Sequence, residues 1–182
     1  ATASTDTMYC VFLGRALQTV TPATNSINNA MLSSTAAIAT TKLGAGAVLQ
    51  VVSAENSTGV DSTSATFADT GLTANITPSS TSNKILVIVN HTNTRSNGST
   101  QIGLKLFRDS TEIRESRYLA DTNDSTRNHI SVTIVELDSP SSSSQITYKT
   151  QFNNEQASGT TTVQQGSATG PSTITLMEIA GW

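Results

Sequence analysis

From Ala47 to Ile179 the chain is a succession of strand-length runs in which apolar residues alternate with Thr, Ser or charged ones. Turn residues cut the runs at short intervals. A period of two places alternate side chains on opposite faces of a strand, so each run has one apolar and one wet face. Ile102, Leu104 and Leu106 share a face, as do Ile130, Val132 and Ile134. Ile146, Tyr148, Thr150 and Phe152 do the same, and Ile174 and Leu176 alternate in phase with Glu178. Lys84–Val89 is the most apolar run of all, and Ala47–Val52 opens the series. Thr66–Ala68 and Leu72–Ile76 are read as strands broken by Asp69-Thr70-Gly71, and another strand is expected over Ser116–Ala120. A weaker strand signal covers Thr160–Val163. Pro78–Asn83, the hairpin Arg108–Ile113 and Asp138–Pro140 with its four following serines supply turn chemistry, and Asn93–Ser99 is read as a polar loop. Eight to ten short strands with no amphipathic helix are therefore expected. Two antiparallel sheets packed face to face satisfy this pattern, giving an all-β fold, a jelly-roll-like antiparallel β-sandwich head.

Composition narrows the functions open to such a chain. Its 182 residues suit one compact domain with a short appended segment. The 25 Ser and 31 Thr make up close to a third of it, whereas 13% is charged and 4% aromatic, which disfavours coiled coils and Leu-rich helical repeats. Thr brings β-branching without hydrophobicity and so suits the solvated face of a sheet. No apolar run approaches the ~20 residues of a membrane-crossing helix, and Ala1–Asp6 lacks the basic and apolar regions of a signal peptide. The net charge of −3, without a basic cluster, argues against a nucleic-acid footprint. A single cysteine, Cys10, allows no intrachain disulfide, and two histidines leave little room for metal or acid–base chemistry.

The chain divides into three parts. Residues 1–22 carry the apolar run Met8–Leu13, then Gly14-Arg15 and Ala16–Val20, and read as the end of an upstream β-rich shaft domain. A two-stranded piece is marginal alone, so Ala1 is expected to begin inside a longer polypeptide. Residues 23–46 space Ile27, Met31, Leu32, Ile38 and Leu43 among small polar residues, in neither heptad nor strand periodicity. Three copies wound about one axis would cover Ile27, Leu32, Ile38 and Leu43, making these the candidate trimer-interface residues of an extended connector; a flexible linker is the plain alternative. Gly44-Ala45-Gly46 marks the joint, and 47–182 forms the C-terminal head.

Three stretches carry a resemblance: Leu72–Val87, Asp138-Ser139-Pro140 before Thr147-Tyr148-Lys149, and Ser172–Ile179. They resemble the C-terminal domain of tail fibre and related virion fibre proteins of tailed phages, of cyanophage-like kind. Tyr9–Val20, and the stretch from Asn29–Leu32 through Thr41–Leu43, resemble the shaft and repeat regions of the same fibres. The resemblance implies a homotrimeric fibre in a virion, with a shaft, a threaded connector and a distal head. Its motifs are structural phrases and bring no receptor site with them.

No constellation reads as an active site, and no cofactor or metal is expected. His91 and His129, near strand ends, would make a metal pair only if their strands or three copies met, and a hydrogen-bonded histidine is the commoner role. Asp121, Asn123 and Asp124 offer oxygen ligands but lack the glycine and terminal glutamate of a calcium loop. Glu112, Glu115, Glu136 and Asp138 show no spacing that singles out a glycan-cleaving pair. Arg108, Arg114 and Arg117 interleaved with Glu112 and Glu115 read as mixed-sign pairing. Cys10 lies in an apolar run with no base placed near it in sequence.

Binding is the better expectation. Loops on a rigid β scaffold can vary without disturbing its core, and three stand out: His91–Thr100, Asp121–Asn128 and Asn153–Thr160. Their receptor-binding candidates are Asn93, Arg95, Asn97, Asp121, Asn123, Asp124, Arg127, Asn153 and Asn154. A weak site presented three times gains avidity of roughly two to four orders of magnitude. The leading expectation is a non-enzymatic adhesin at a tail fibre tip, its partners a bacterial surface polysaccharide or outer-membrane protein, other virion proteins and its own copies, with no nucleic acid and no membrane insertion. The alternative is a trimeric capsid decoration or head-fibre protein anchored through Met8–Leu13. A bacterial lectin-like domain is a third option that the shaft-like segment disfavours. Trp182, the only tryptophan, ends the sequence, as expected of a head that closes there.

Overall fold

A computed structural model of the chain describes residues 42–122, 127–164 and 170–181, leaving aside the side chains of residues 93, 95–97, 122 and 127. Ile27, Leu32 and Ile38 of the candidate connector, and Cys10, lie outside the described residues. The described chain is all-β, with ten strands: β1 (Val48–Asn56), β2 (Val60–Ser62), β3 (Ala68–Ile76), β4 (Lys84–Asn97), β5 (Thr100–Arg108), β6 (Thr111–Thr122), β7 (Arg127–Asp138), β8 (Ile146–Asn154), β9 (Thr160–Val163) and β10 (Ser172–Ile179).

Every pairing is antiparallel, and the strands form two sheets consistent with a β-sandwich. In sheet A, β10 lies between β1 and β4, and β7 takes the other edge of β4. The 14-residue β4 outruns β10: Lys84–Asn90 pairs with β10, and Arg95–Asn97 pairs with β9, which β2 extends. An irregular register between His91 and Thr94 marks the change of partner. There the Thr92 amide donates to Ser172 Oγ at 3.0 Å and its hydroxyl to the Gly170 carbonyl at 2.9 Å. Sheet B runs β3-β8-β5-β6.

The alternation read from sequence decides which side chains meet between the sheets. Ile85, Val87 and Val89 of β4, Val132 and Ile134 of β7, and Ile174 and Leu176 of β10 point inward from sheet A. Leu72, Ala74 and Ile76 of β3, Ile102, Leu104 and Leu106 of β5, and Ile146, Tyr148 and Phe152 of β8 meet them from sheet B. Each Leu, Ile or Phe so buried contributes about 1.5–3 kcal/mol of transfer free energy.

Residues 46 and 47 bond to Ala180 at one end of the described sandwich, here called proximal. The Gly46 amide donates to the Ala180 carbonyl, and the Ala180 amide to the Ala47 carbonyl, both at 2.9 Å. Glu178, only 1% exposed, anchors this end. Its carboxylate accepts from Gln50 Nε2 at 2.6 Å, the Ser79 amide at 2.6 Å, Ser79 Oγ at 2.8 Å and Asn83 Nδ2 at 2.5 Å. Burial alone would raise its pKa, but these four donors outweigh burial and hold it below the ordinary value. A second proximal clasp crosses between the sheets: Arg108 Nη1 of β5 donates to both Asp138 oxygens of β7, at 2.8 and 2.9 Å, while Tyr148 Oη of β8 donates to Oδ2 at 2.7 Å. Burial and that carboxylate push the Tyr148 phenol far above its ordinary value, so it stays the donor.

Three local expectations need correction. Asn93–Ser99 is not a loop: β4 continues through Asn97, because pairing with β7 on one edge and β9 on the other holds Arg95–Asn97 extended despite the low strand propensity of Asn, and the turn is confined to Gly98-Ser99. Asp69-Thr70-Gly71 does not end a strand. It is a bulge within β3, with Gly71 at φ +79°. The strand expected over Ser116–Ala120 extends to Thr111–Thr122, and its hairpin turn is the dipeptide Asp109-Ser110. Asp109, at φ 52°, seals that turn against β8: its amide donates to the Thr147 carbonyl at 2.7 Å, and its Oδ1 accepts from the Thr147 amide at 2.9 Å.

Candidate functional site

Strand direction settles where the candidate binding segments lie. β4 starts at the proximal end, with Lys84 opposite Ile179, and runs away from it, β5 returns, and β6, β7 and β8 continue the zigzag. The register then sets Asn97 opposite Arg127 on one side and Thr160 on the other, Thr100 opposite Thr122, and Ile102 opposite Asn154. All three segments, although distant in sequence, thus converge on the distal end, opposite Gly46 and Ala180. Asn93 and Arg95 lie on β4, and Arg127 opens β7. Asn123 and Asp124 lie outside the described residues. Asp121 is exposed, and its carbonyl accepts from Asn128 Nδ2 at 3.3 Å.

Asn153 and Asn154 are not surface groups. They are 3% and 0% exposed, and their amides organise the distal backbone. Asn153 Oδ1 accepts from the Gly103 amide at 3.1 Å and its Nδ2 donates to the Ala65 carbonyl at 2.8 Å. Asn154 Oδ1 accepts from Thr100 Oγ1, while its Nδ2 donates to the Ser158 carbonyl at 2.9 Å. Together they shape the 155–159 turn and the 63–67 segment from beneath. Asn beside strand ends reads as loop chemistry, and only tertiary structure reveals it as internal bracing.

The distal interior sets a polar network beside apolar residues such as Ile102, Phe152 and Val163. His91, fully buried, shares a hydrogen bond between Nε2 and Thr150 Oγ1 at 3.0 Å, and Thr150 Oγ1 pairs with Thr70 Oγ1 at 2.6 Å. Gln164 Nε2 donates to the Thr70 carbonyl at 2.7 Å. This second clasp joins β4 of sheet A to β8 and β3 of sheet B. Burial holds the His91 imidazole down at about 4, so it is neutral at pH 7. His129 is exposed and faces outward from β7 opposite Arg95, so the two histidines do not form a pair. Among the described residues, no group of three or more His, Cys, Asp or Glu gathers as a metal cage.

Residues that sequence reasoning did not nominate flank the distal end on sheet B. Arg117 Nε sits 2.8 Å from Glu155 Oε1, and Lys105 Nζ lies 4.4 Å from the centre of the Phe67 ring. Gly103 is required beneath them, because a Cβ there would strike Asn153 Oδ1 and Glu155 Oε1. Tyr118 is 66% exposed, with Arg117 stacked 5.7 Å from its ring centre and its own φ at +58°. A left-handed backbone at a non-glycine residue costs of order 1–3 kcal/mol and is held only by its surroundings. Tyr118 was hidden in an ordinary strand signal; an aromatic among polar residues, in a chain this poor in aromatics, was the available cue.

The acidic residues considered for glycan hydrolysis all face cations. Lys105 Nζ lies 2.7 Å from Glu112 and 3.8 Å from Glu115, Arg114 lies 3.6 Å from Glu136, and Arg108 holds Asp138. The mixed-sign pairing expected around the β5–β6 hairpin is therefore present. Leu43, the one candidate trimer-interface residue described, is 43% exposed at the proximal end. It lines a cavity of about 210 Å³ with Leu49, Ser79, Asn83 and Ala180. No family model matches the chain, and neither does any curated protein.

Proposed function

We propose that this chain is the non-enzymatic, trimeric C-terminal head of a phage virion fibre, with a jelly-roll fold, and that its distal end recognises a bacterial surface polysaccharide during adsorption. One observation carries the reading: three polar segments, far apart in sequence, gather at the end of the head opposite the connector. A fibre presents that end to whatever it meets. Asp121 supplies an exposed carboxylate there beside the half-buried Asn128, and Tyr118 with Arg117 supplies an aromatic and cationic flank of the kind on which sugar rings stack. The order β1-β10-β4-β7 in one sheet and β3-β8-β5-β6 in the other supports the jelly roll, with β2 and β9 as a small distal addition. The fibre assignment is supported by the tail-fibre-like phrases at Leu72–Val87 and Ser172–Ile179.

Immunogold electron microscopy of intact virions, with antibody raised against the head, tests the proposal. Gold at the tips of tail fibres is the expected result. Gold spread over the capsid would overturn it in favour of a decoration trimer.

A further inference from the structure

The outward face of sheet A is not built for water. Register aligns Val51 of β1, Met177 of β10, Leu86 of β4 and Leu137 of β7 in one row across four strands. Val48 and Ile179 stand beside that row toward the connector, and Ile88 opposite Val135 on its distal side. Val48, Val51, Val135 and Leu137 are 49%, 56%, 56% and 45% exposed. With Leu86, Ile88, Met177 and Ile179 half-buried among them, eight apolar side chains adjoin one another on the proximal half of the sheet. The run Ile85–Val89 is apolar at every position because both of its faces are. A strand of that kind normally has both faces covered.

We infer that this face is a self-association surface, on which the heads of neighbouring copies of the chain pack. Strand and residue spacing give the apolar area as roughly 300 Å², against about 800 Å² contributed by each partner in a standard interface. It therefore forms the apolar core of such an interface, and the surrounding outward Ser53, Thr173, Thr175, Asn90 and Thr133 supply a polar, uncharged rim. A like partner fits the chemistry of the patch. The apolar row and its polar rim carry no charge of their own, and the outward Lys84 and Glu55 lie at opposite ends of the patch, away from the centre where two copies would press their apolar residues together. The chain outside the head points the same way: residues 1–41 lead into it through Gly46 and Ala47, which bond to Ala180 next to the Val48–Ile179 pair, so copies gathered by the proposed connector would meet at the end where the apolar face lies. That there are three copies, and that a connector gathers them, rests on the trimeric reading proposed above; that the face is covered by a like face rests on its own apolar, uncharged chemistry.

Light scattering of the full chain across a concentration series, with Val51→Lys and Leu137→Lys, tests the inference. Both residues are about half exposed, and a circular-dichroism melt checks that each variant folds. Association weakened at least tenfold in both variants is expected, while Asn75→Lys on the outward face of sheet B leaves the mass unchanged. A wild-type mass of three chains would uphold the trimer as well. A mass of two, dissolved by the lysines, would keep the surface and overturn the trimer. An assembly indifferent to both lysines would overturn the surface and leave the trimer standing, and a wild-type monomer at every concentration would overturn both.

Discussion

The two outward faces of the sandwich obey the same period-two alternation and carry opposite chemistry. On sheet B the outward positions are Asp69, Thr73 and Asn75 of β3, Lys105 of β5, and Lys149 and Gln151 of β8, joined by pairs such as Lys149–Asp69 at 3.0 Å. Gln151 and Lys149 hold the Asp69 carboxyl below its ordinary value. On the proximal half of sheet A the corresponding positions hold Val51, Leu86, Leu137 and Met177. Alternation alone therefore identifies a strand but not its surroundings. What occupies the outward half of the alternation tells whether that face is solvated or covered.

Neighbouring residues of β10 give the sharpest separation of inside from outside. Leu176, fully buried, is expected to cost about 2–5 kcal/mol when changed to Ala. The cost should be the same at all protein concentrations in urea denaturation. Met177→Ala should cost under about 1.5 kcal/mol in dilute solution, with a penalty that grows with concentration, since its outward face is covered only on assembly. Equal, concentration-independent costs would erase the distinction between the faces.

Acid probes the polar clasp between the sheets. His91 binds its proton near 6.5 when unfolded and near 4 when folded, so the unfolded chain holds more protons between those values. The contribution is complete above about pH 6.5 and is lost as pH falls to 4, a loss of about 3 kcal/mol. Melts of His91→Gln should lose that part of the pH slope. Glu178 acts in the same direction lower down, its stabilisation being lost as pH falls through its depressed value.

Asp138→Asn should remove about 2 kcal/mol from the proximal clasp, because Arg108 loses its charged, two-oxygen partner. The smallest effect belongs to the solvated face. Lys149→Met should change stability by at most about 1 kcal/mol, and the difference should vanish in ~1 M salt. A larger, salt-resistant loss would mean that sheet B is covered too.

Much of the inward face was legible in the sequence. Ile102, Leu104 and Leu106, or Ile146, Tyr148 and Phe152, announce themselves because each strand carries its own pattern. Glu178 was in phase with Ile174 and Leu176, and it does point inward despite its charge. What stayed hidden was distributed. The apolar row takes one residue from each of four strands, so no single segment displays it. The distal cluster of segments follows from pairings such as Asn97 with Arg127 and Thr160, which no local signal encodes. Thr70 and Asn154 look like loop chemistry because the partners that draw them inside, Thr150 for the Thr70 hydroxyl and Thr100 for Asn154 Oδ1, lie 80 and 54 residues away.

The position of β10 also sets the timetable of biosynthesis. It fills the gap between β1 and β4 and carries Glu178, whose partner Gln50 lies 128 residues upstream. Until β10 emerges from the ribosome, sheet A is two fragments with open hydrogen-bonding edges, one of them the most apolar strand of the molecule. Such edges are templates for pairing with other chains, and closing so long a loop is slow. On a polysome, nascent heads translated side by side would present these edges to one another before any of them could close.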